Sequence, residues 1–501
     1  MTKVVGVVIS GGGAILGEAG PFLVESPWWA DVEAVSASLE AAVGAPVVVL
    51  RLVDVEEGGR MGGGRVIYHA DVLDGVVGSL PAWGEFPAEG VVGLLRAESP
   101  GDGDQGGPHD LAVDGLLRAA STLPPGEVSA EGVDGLLSAE SPGDGDQGGP
   151  HDLAVDGLLL AASPVPPGDV SAEGVDDGFR GRVAAAGRLV LSPAAKRADW
   201  ATAEGVRAGL SWAEAEIRRA GLVPKGSAEQ VKTWNLSGLF RIRVEGDPEA
   251  VWFKATPSFA ACEGGAIELL TDAGAEIVPR LIASDPVRRW VLLAHAPGED
   301  CWHAPQEAVD YVVPRMVAAQ AELTEKAAGL LDRTPPRLGE LTSRLLDGEV
   351  GAELDAGELR AARALVAELP GMVDALEACG LPYTLVHGDF HPGNWRWDGR
   401  RGVVVDFADC HFGHPALDGL RLRDFAPEDR RAGLAETWVR AWSAAVPGAD
   451  PGRALTLAEP LAHLYHASRY QEFMDGIEES ERRYHAGDSA SALRAALASA
   501  G

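Results

Sequence analysis

The side chains best suited to chemistry in this chain of 501 residues lie in the segment HGDFHPGN, from His387 to Asn394, and at Asp406 further along. Phosphoryl transfer needs a carboxylate that orients an acceptor hydroxyl, and oxygen-bearing side chains that hold metal ions between phosphate oxygens. Asp389 and Asn394, five residues apart, offer one of each. Asp406 follows three valines, which favour a buried strand that would deliver its carboxylate to a metal. The spacing therefore predicts a phosphoryl-transfer site.

This segment resembles the catalytic loop of the aminoglycoside phosphotransferase and choline kinase family, which has HGD in place of the HRD of protein kinases. The separation of Asp389 from Asn394 equals that between the base and the metal-binding asparagine of a kinase catalytic loop. The resemblance covers residues 227–501. It implies that Asp389 is the catalytic base, that Asn394 and Asp406 are magnesium ligands, and that His387 supports the backbone of the loop.

The upstream half of such a site should contain a hairpin and a strand with a lysine. VKTWN, a turn at Leu236, Ser237 and Gly238, and LFRIRV predict a β-hairpin whose tip lies over the phosphates, with Ser237 and Gly238 as nucleotide contacts. The next strand, AVWFKAT, carries Lys254, for which the resemblance implies a contact with phosphate oxygens. A solvated strand lysine is the alternative.

The helix partner of Lys254 is expected between Pro257 and Gly274, where both Glu263 and Glu268 occur. Five residues rotate a helix by roughly 140°, so the two glutamates cannot both face the site. The resemblance favours Glu263 and leaves Glu268 as an exposed charge.

The stretch RWVLLAHAPGED resembles the family's connection between two lobes. It implies that backbone groups from Leu293 to Ala296, with Leu293 and His295 among them, meet the adenine of ATP. An apolar strand here would also suit the core of any fold.

The resemblance implies an α+β protein with a bilobal, protein-kinase-like fold that has a β-rich N-lobe and a helical C-lobe, and the patterns before residue 86 predict a small α/β cap domain that precedes it. The cap is expected from strands near VVGVVIS, APVVVLRLVDV and GRVIYHADV and from a helix in DVEAVSASLEAAVG. The arrangement of an N-terminal cap before the two lobes resembles that of the actinobacterial maltokinase and glucosamine kinase branch. The expected segments are a cap at 1–85, an insert at 86–178, a helical connector at 179–226, the N-lobe and hinge at 227–297 and the C-lobe at 298–501.

The net charge of -33 argues against nucleic acid and anionic membranes as partners, because phosphate groups would repel the protein. Part of this charge lies in two tandem copies with a 42-residue period, at 90–131 and 132–173. AESPGDGDQGGPHDLAVDGLL begins at Ala97 and returns at Ala139. The Gly, Pro and Asp content of the copies predicts a flexible acidic insert.

Other features bear on compartment and on alternative sites. The sequence contains no run of eighteen apolar residues, so no membrane span is predicted. Four scattered cysteines without metal-binding spacing indicate a reducing cytoplasm. Gly11 to Gly13 could form a phosphate loop, but the Lys-Ser/Thr ending of that motif is lacking, so a buried strand entering a glycine turn is favoured.

The C-terminal segment 470–485 is rich in carboxylates: Glu472, Asp475, Glu478, Glu479 and Glu481. They could hold an amine-bearing or polyhydroxy substrate. A solvated helix face is favoured, since most charge runs are of that kind.

Together these patterns predict a phosphotransferase that depends on ATP and Mg²⁺ and acts on a hydroxyl group of a small molecule. The acceptor could be an amino sugar, an aminoglycoside-like compound or a sugar. The alternative is a pseudokinase-type regulatory protein that binds nucleotide without turnover. The oligomeric state stays open.

Overall fold

The computed structural model describes residues 2–56, 62–73, 177–324 and 326–500. Both tandem copies, and the predicted acidic insert up to residue 176, lie outside the described residues. Within the described ranges, no helix is long and apolar enough to cross a membrane.

The N-terminal cap is a four-stranded sheet with a helix on each face. Its first strand is buried on both sides, which explains its nearly continuous apolar run. Val5, Val7 and Ile9 face one hydrophobic cluster, while Val4 and Val8 face another, as the two-residue period of a strand requires. The strand order is β2-β1-β4-β3, with β1 and β4 parallel and the other pairs antiparallel. The elements are β1 (Lys3–Gly11), β2 (Ala14–Val24), α1 (Glu33–Val43), β3 (Val47–Glu56) and β4 (Arg65–Val72).

The glycines at the end of β1 form a hairpin turn. Gly12 and Gly13 have φ angles of 60° and 81°, which suit a tight two-residue connection between antiparallel strands. The phosphate-loop alternative is therefore wrong, because a strand and not a helix follows these glycines. That strand, β2, was not predicted from the sequence.

The second cap helix, α2 (Asp177–Val190), covers the face of the sheet opposite α1. Phe179 and Val183 pack there against Val4 and Val8. The prediction placed this segment at the boundary of the insert and the connector, where nothing in the sequence indicated its partner. We therefore propose that the cap comprises residues 3–73 together with 177–190.

The connector contains a short 3₁₀ helix (Asp199–Ala201) and α3 (Ala203–Arg219), in agreement with the amphipathic pattern of this stretch. The Thr202 side chain caps α3 by accepting a hydrogen bond from Gly205 N. One face of α3 packs against the N-lobe sheet through Val206, Ala213 and Ile217.

The N-lobe is a five-stranded antiparallel sheet with one helix. Its strand order is β5-β6-β7-β9-β8. The elements are β5 (Glu229–Trp234), β6 (Ser237–Arg243), β7 (Ala250–Ala255), α4 (Glu263–Asp272), β8 (Leu281–Asp285) and β9 (Trp290–Ala294).

The C-lobe is mainly helical and carries two small sheets, β10-β12-β13 and β11-β14. Its helices are α5 (Gln306–Glu322), α6 (Leu338–Asp347), α7 (Glu349–Ala352), α8 (Ala356–Glu377), α9 (Ala416–Asp424), α10 (Glu428–Ala445), α11 (Pro451–Gly476) and α12 (Asp488–Ala500). Its strands are β10 (Glu299–Asp300), β11 (Thr384–Val386), β12 (Trp395–Trp397), β13 (Gly402–Val404) and β14 (His411–Gly413). The predicted α+β class, with a β-rich small lobe and a helical large lobe, is confirmed.

The cap contacts both lobes. Val32 N donates to Val231 O of β5. On the C-lobe side, the ring of Tyr484 lies edge-on to Trp29 of the cap and to Trp234 of β5, with centroids 5.6 and 5.8 Å apart. One aromatic side chain of the C-lobe thus joins the cap and the N-lobe.

The acidic C-terminal segment is only partly the solvated face that the sequence favoured. Asp475 and Glu479 are exposed, but Glu478 and Glu481 are buried in the contact with the cap. Glu472 is half-buried and pairs with Arg333 and Arg469. The charge run looked uniform in sequence, whereas the docked cap removes two of its carboxylates from water.

Candidate active site

Strand β7, helix α4 and the end of β13 bring three charged side chains together. Lys254 Nζ lies 3.0 Å from Glu263 Oε2 and 2.6 Å from Asp406 Oδ1. Glu263 also accepts a hydrogen bond from Phe407 N at 3.1 Å, and Glu268 is exposed. Burial lowers the pKa of Lys254, but Asp406 and Glu263 outweigh this effect and raise it above its usual value. The amine is therefore a fixed cation in the cleft.

Asp406 combines an unusual backbone conformation with an accessible carboxylate. It adopts a left-handed backbone with φ of 65°, an unusual conformation for a non-glycine residue that is often found at functional sites. Burial raises the pKa of its carboxyl, but Lys254 more than compensates and holds the pKa below its usual value. The side chain nevertheless stays 48% exposed, so the carboxylate remains available to a ligand.

Asp406 and Asn394 carry oxygen atoms of the type that Mg²⁺ prefers as ligands. Asn394 uses its amide nitrogen to bind Asp389, and no described group donates to its amide oxygen. No group of three or more His, Cys, Asp or Glu among the described residues is arranged to hold a metal. Mg²⁺ commonly takes only one or two protein carboxylates, with phosphate and water oxygens completing its shell. The donor set is thus compatible with Mg²⁺ bound beside nucleotide phosphates.

Asp389 lies in the loop between β11 and β12, and three side chains donate hydrogen bonds to its carboxylate. Arg421 Nε lies 2.7 Å and His391 Nε2 3.3 Å from its Oδ1, while Asn394 Nδ2 donates to its Oδ2 at 2.8 Å. Burial raises the pKa of the Asp389 carboxyl, but His391 and Arg421 outweigh it and hold that pKa well below its usual range. Asp389 is therefore ionised, and Oδ2, with a single donor, keeps capacity for a further hydrogen bond.

The backbone of this loop is fixed by buried groups behind it. Asp418 accepts hydrogen bonds from His387 N at 2.9 Å and Gly388 N at 3.0 Å, and from the Gln320 amide at 2.7 Å. His387 Nδ1 accepts from Asp389 N, so its Nε2 donates to Val405 O at 3.2 Å. Burial lowers the pKa of His387, which keeps the ring neutral. His387 therefore ties the loop to the end of β13.

The loop also requires a glycine at position 388. Gly388 has φ of 85°, and a Cβ there would lie 2.5 Å from the carbonyl oxygen of Asp409. The glycine of the HGD motif thus allows the catalytic loop to pass close to the backbone of Asp409, which the motif alone does not reveal.

The hairpin tip differs in detail from the prediction. Its turn consists of Asn235 and Leu236, and Ser237 and Gly238 already belong to β6. Ser237 Oγ accepts from Trp234 Nε1, and a Cβ on Gly238 would lie 2.8 Å from the ring of Trp200. The lack of a side chain at Gly238 therefore makes room for an indole from the connector, and nucleotide contacts by Ser237 and Gly238 stay a prediction.

The connection between the lobes has fewer free backbone groups than expected. Leu293 lies in β9, and the amides of Ala294 and His295 donate to Arg280 O and Ala250 O. The His295 ring accepts a hydrogen bond from Trp252 Nε1 at 3.1 Å. An adenine would have to use other backbone groups of this segment, and the contacts predicted for Leu293 and His295 stay untested.

Arg421, like His391, is a site residue that the sequence analysis did not identify. It is 4% exposed, its guanidinium lies 3.8 Å from the centre of the Phe425 ring, and one of its terminal nitrogens finds no hydrogen-bond partner among the described residues. A signal was present, because Arg421 follows the structural Asp418 by three residues on α9 and so shares its helix face. Nothing in the sequence indicated that this face meets Asp389.

The assembled site can orient a hydroxyl, accept its proton and hold phosphate oxygens. Asp389 offers a carboxylate, Lys254 offers a cation, and Asp406 and Asn394 offer oxygen atoms of the kind that bind metal ions. The ion pair between the lysine of a third strand and the glutamate of the following helix is the arrangement of a protein-kinase small lobe.

Part of the chain matches a known protein family. The model of a phosphotransferase enzyme family (APH) matches residues 253–455. A search of curated proteins gives no match.

Solved structures with a similar fold include three phosphotransferases. They are a choline kinase from Streptococcus pneumoniae (14% identity, 58% of this chain and 99% of that chain, TM-score 0.43), a choline/ethanolamine kinase family protein from Mesorhizobium loti (17%, 55% and 92%, 0.40) and a macrolide 2'-phosphotransferase from Brachybacterium faecium (20%, 57% and 98%, 0.38).

Proposed function

We propose that the protein is a kinase that uses ATP and Mg²⁺ to phosphorylate a hydroxyl group of a small molecule, and the match of residues 253–455 to the model of a phosphotransferase enzyme family supports this proposal. The observation that supports this most directly is the pair of linked clusters in the cleft. Lys254, Glu263 and Asp406 form one, and Asp389 with Asn394 forms the other. Each cluster leaves an oxygen or a cation available to a ligand.

In the proposed reaction, the acceptor hydroxyl donates a hydrogen bond to Asp389 Oδ2. The acceptor oxygen attacks the γ-phosphorus of ATP, and this bond forms as the bond from phosphorus to the bridging oxygen of ADP breaks. The hydroxyl proton passes to Asp389. A magnesium ion held by Asp406 and Asn394 would neutralise charge on the phosphate oxygens. Lys254, kept cationic by its two carboxylates, binds the phosphates from the N-lobe side.

For the acceptor we propose an amino sugar, an aminoglycoside-like compound or a sugar. The use of ATP would place the reaction in the cytoplasm. The test is a screen of hydroxylated small molecules for ADP release, with mass spectrometry to show a gain of one phosphoryl group. Nucleotide binding without ADP release for any compound would favour a regulatory nucleotide-binding protein instead.

The metal assignment has its own test. Asp406→Ala removes the carboxylate that both pairs with Lys254 and would bind Mg²⁺, so we expect ATP binding to lose its dependence on Mg²⁺ while the fold persists. Calorimetric titration of ATP with and without Mg²⁺ measures this, and Asp475→Ala, at an exposed position, is the control. An unchanged Mg²⁺ dependence in Asp406→Ala would exclude the assignment.

A further inference from the structure

One face of helix α9 contacts the catalytic loop at three successive points. Asp418, Arg421 and Phe425 share this face, because residues three or four positions apart on a helix are neighbours. Asp418 accepts hydrogen bonds from the backbone of the loop, and Arg421 donates to the carboxylate of Asp389. Phe425, at the C-terminal end of the helix, contacts His391 further along the loop. Phe425 has no polar side-chain group, so any effect on the proposed base must act through its neighbours.

The Phe425 ring lies between two of the groups that donate to the base. The imidazole of His391 is stacked on this ring, with centroids 4.4 Å apart and an angle of 12° between the planes. The guanidinium carbon of Arg421 lies 3.8 Å from the centre of the same ring. Two flat groups this close to one centre would collide on a single face, so they occupy opposite faces. The ring therefore sets the distance between the imidazole and the guanidinium.

Both groups donate to the same carboxylate oxygen. Arg421 Nε lies 2.7 Å and His391 Nε2 lies 3.3 Å from Asp389 Oδ1. Because His391 Nδ1 accepts a hydrogen bond from Gly393 N, the imidazole carries its hydrogen on Nε2 and donates it to the carboxylate. The other oxygen, Oδ2, receives one donor, the amide of Asn394. The separation of the two stacked groups thus decides how Oδ1 is satisfied while Oδ2 keeps free capacity.

The surroundings of the two donors make the ring contact important. Within the described part of the chain, the Arg421 guanidinium donates only to Asp389, and one of its enclosed terminal nitrogens has no partner. An aromatic face attracts a guanidinium and limits the rotation of its long side chain. Trp302 packs on the loop beside His391, with ring centroids 5.2 Å apart, and a Cβ on Gly393 would lie 2.4 Å from the indole. The imidazole is thus packed between aromatic rings, whereas the guanidinium depends on one ring and one carboxylate.

We propose that Phe425 is a positioning residue for the proposed base: its ring holds His391 and Arg421 where both donate to Oδ1, which keeps Oδ2 for the acceptor hydroxyl. The inference rests on the proposed kinase activity for its functional meaning. It requires the two flat faces of the ring and not only its apolar volume. Leucine lacks these faces, whereas tyrosine keeps them. Phe425 is half-buried at the end of a helix, so the fold should tolerate both substitutions.

The kinetic test compares Phe425→Leu with Phe425→Tyr in the full-length protein, with MgATP and an acceptor found by the screen for ADP release. Since a misplacement of about 1 Å can cost a factor of about 10², we expect Phe425→Leu to lower kcat by about tenfold to a hundredfold. The KM values for ATP and for the acceptor should not change, and Phe425→Tyr should keep the wild-type kcat. Tyr311→Leu is the matched control, because it removes a half-buried ring of α5 that lies 3.7 Å from the Arg315 guanidinium and should leave kcat unchanged.

Nuclear magnetic resonance of arginine-labelled protein tests the positioning without an acceptor. The Nε–H of Arg421, buried and bound to Asp389, should exchange slowly with water in the wild type and in Phe425→Tyr. It should lose this protection in Phe425→Leu, and Arg421→Lys identifies its signal.

Three results would overturn the proposal: a protected Arg421 Nε–H in Phe425→Leu, a wild-type kcat in that variant, or an effect confined to the KM for the acceptor. The last result would make Phe425 part of the surface that binds the acceptor. None of these results contradicts the kinase activity itself, which fails only if no acceptor releases ADP with the wild-type protein.

Discussion

The active site and the contact between the cap and the C-lobe are both built from buried charges, but they differ in how far those charges are satisfied. In the cap contact, Arg51 donates to Glu478, to the His69 ring and to Val190 O, each at 2.8 Å. Glu478 is also bound by Arg197 at 2.9 Å. Each of the three guanidinium nitrogens of Arg51 has a partner, and the residue is 3% exposed.

The active site, in contrast, leaves polar groups open. Asp406 is half exposed, Arg421 has an enclosed nitrogen without a partner among the described residues, and no described group donates to Asn394 Oδ1. Unsatisfied buried groups are costly, whereas a fully connected polar network fixes one arrangement. We therefore expect the charges of the cap contact to contribute to stability and the open groups of the cleft to bind substrate.

The largest expected effect is a loss of turnover from a substitution in the active site. Asp389→Asn preserves size but removes the proton acceptor, so we expect turnover to fall by a factor of about 10² to 10⁴. Nucleotide binding should persist because Lys254 and Asp406 are untouched. The measurement is ADP release with an identified acceptor, alongside calorimetric binding of ATP. Near wild-type turnover would remove Asp389 from the mechanism.

A substitution in the contact between the cap and the C-lobe should instead lower the stability of the protein. Glu478→Gln leaves the buried Arg51 guanidinium without its counter-charge, and breaking a buried pair costs about 3 to 5 kcal/mol in the free energy of unfolding. Urea unfolding measures the loss. The control, Glu436→Gln, breaks an exposed pair with Arg440 and should cost no more than about 1 kcal/mol. Equal losses of unfolding free energy in the two variants would show that the buried pair contributes no more than an exposed one.

The same contact should also make stability depend on pH. Burial, with Glu478 nearby, raises the pKa of Glu481 from 4.5 to about 8. Between these values the folded state keeps a proton that the unfolded chain has released, so the free energy of unfolding falls as pH rises through this window. Glu481→Gln should flatten that dependence in urea unfolding at pH 5, 6.5 and 8. Parallel pH profiles of variant and wild type would count against a neutral, buried Glu481.

The smallest effect is expected from the tandem copies. Their composition offers too little apolar surface to offset an ordering cost of about 1 to 2 kcal/mol per residue. Joining Glu89 to Gly174 removes both copies and keeps Phe179 of α2, which packs on the cap. We expect ADP release within a few-fold of the parent protein. Loss of cooperative thermal unfolding would show that the copies complete the cap.

The local parts of the site could be predicted because they follow one another along the chain. Asp389, Asn394 and the strand before Asp406 lie within twenty residues of one another in the sequence. The helix predicted after Lys254 places Glu263 where it contacts that lysine. The hairpin was also foreseen, but its turn lies at Asn235 and Leu236. The sequence does not show that Trp200, from a separate element, needs the space at Gly238.

By itself, the sequence determined the order of the elements, the apolar periods of the strands and the motif that carries Asp389, since these depend on neighbours in the chain. Only the tertiary structure decided that Arg421 binds Asp389, that Glu478 is buried against Arg51, and that Trp302 packs on the catalytic loop. Arg51 and Glu478 are more than four hundred positions apart. Whether such a charge is solvated or buried depends on which surfaces pack together, and that choice is made by the whole fold.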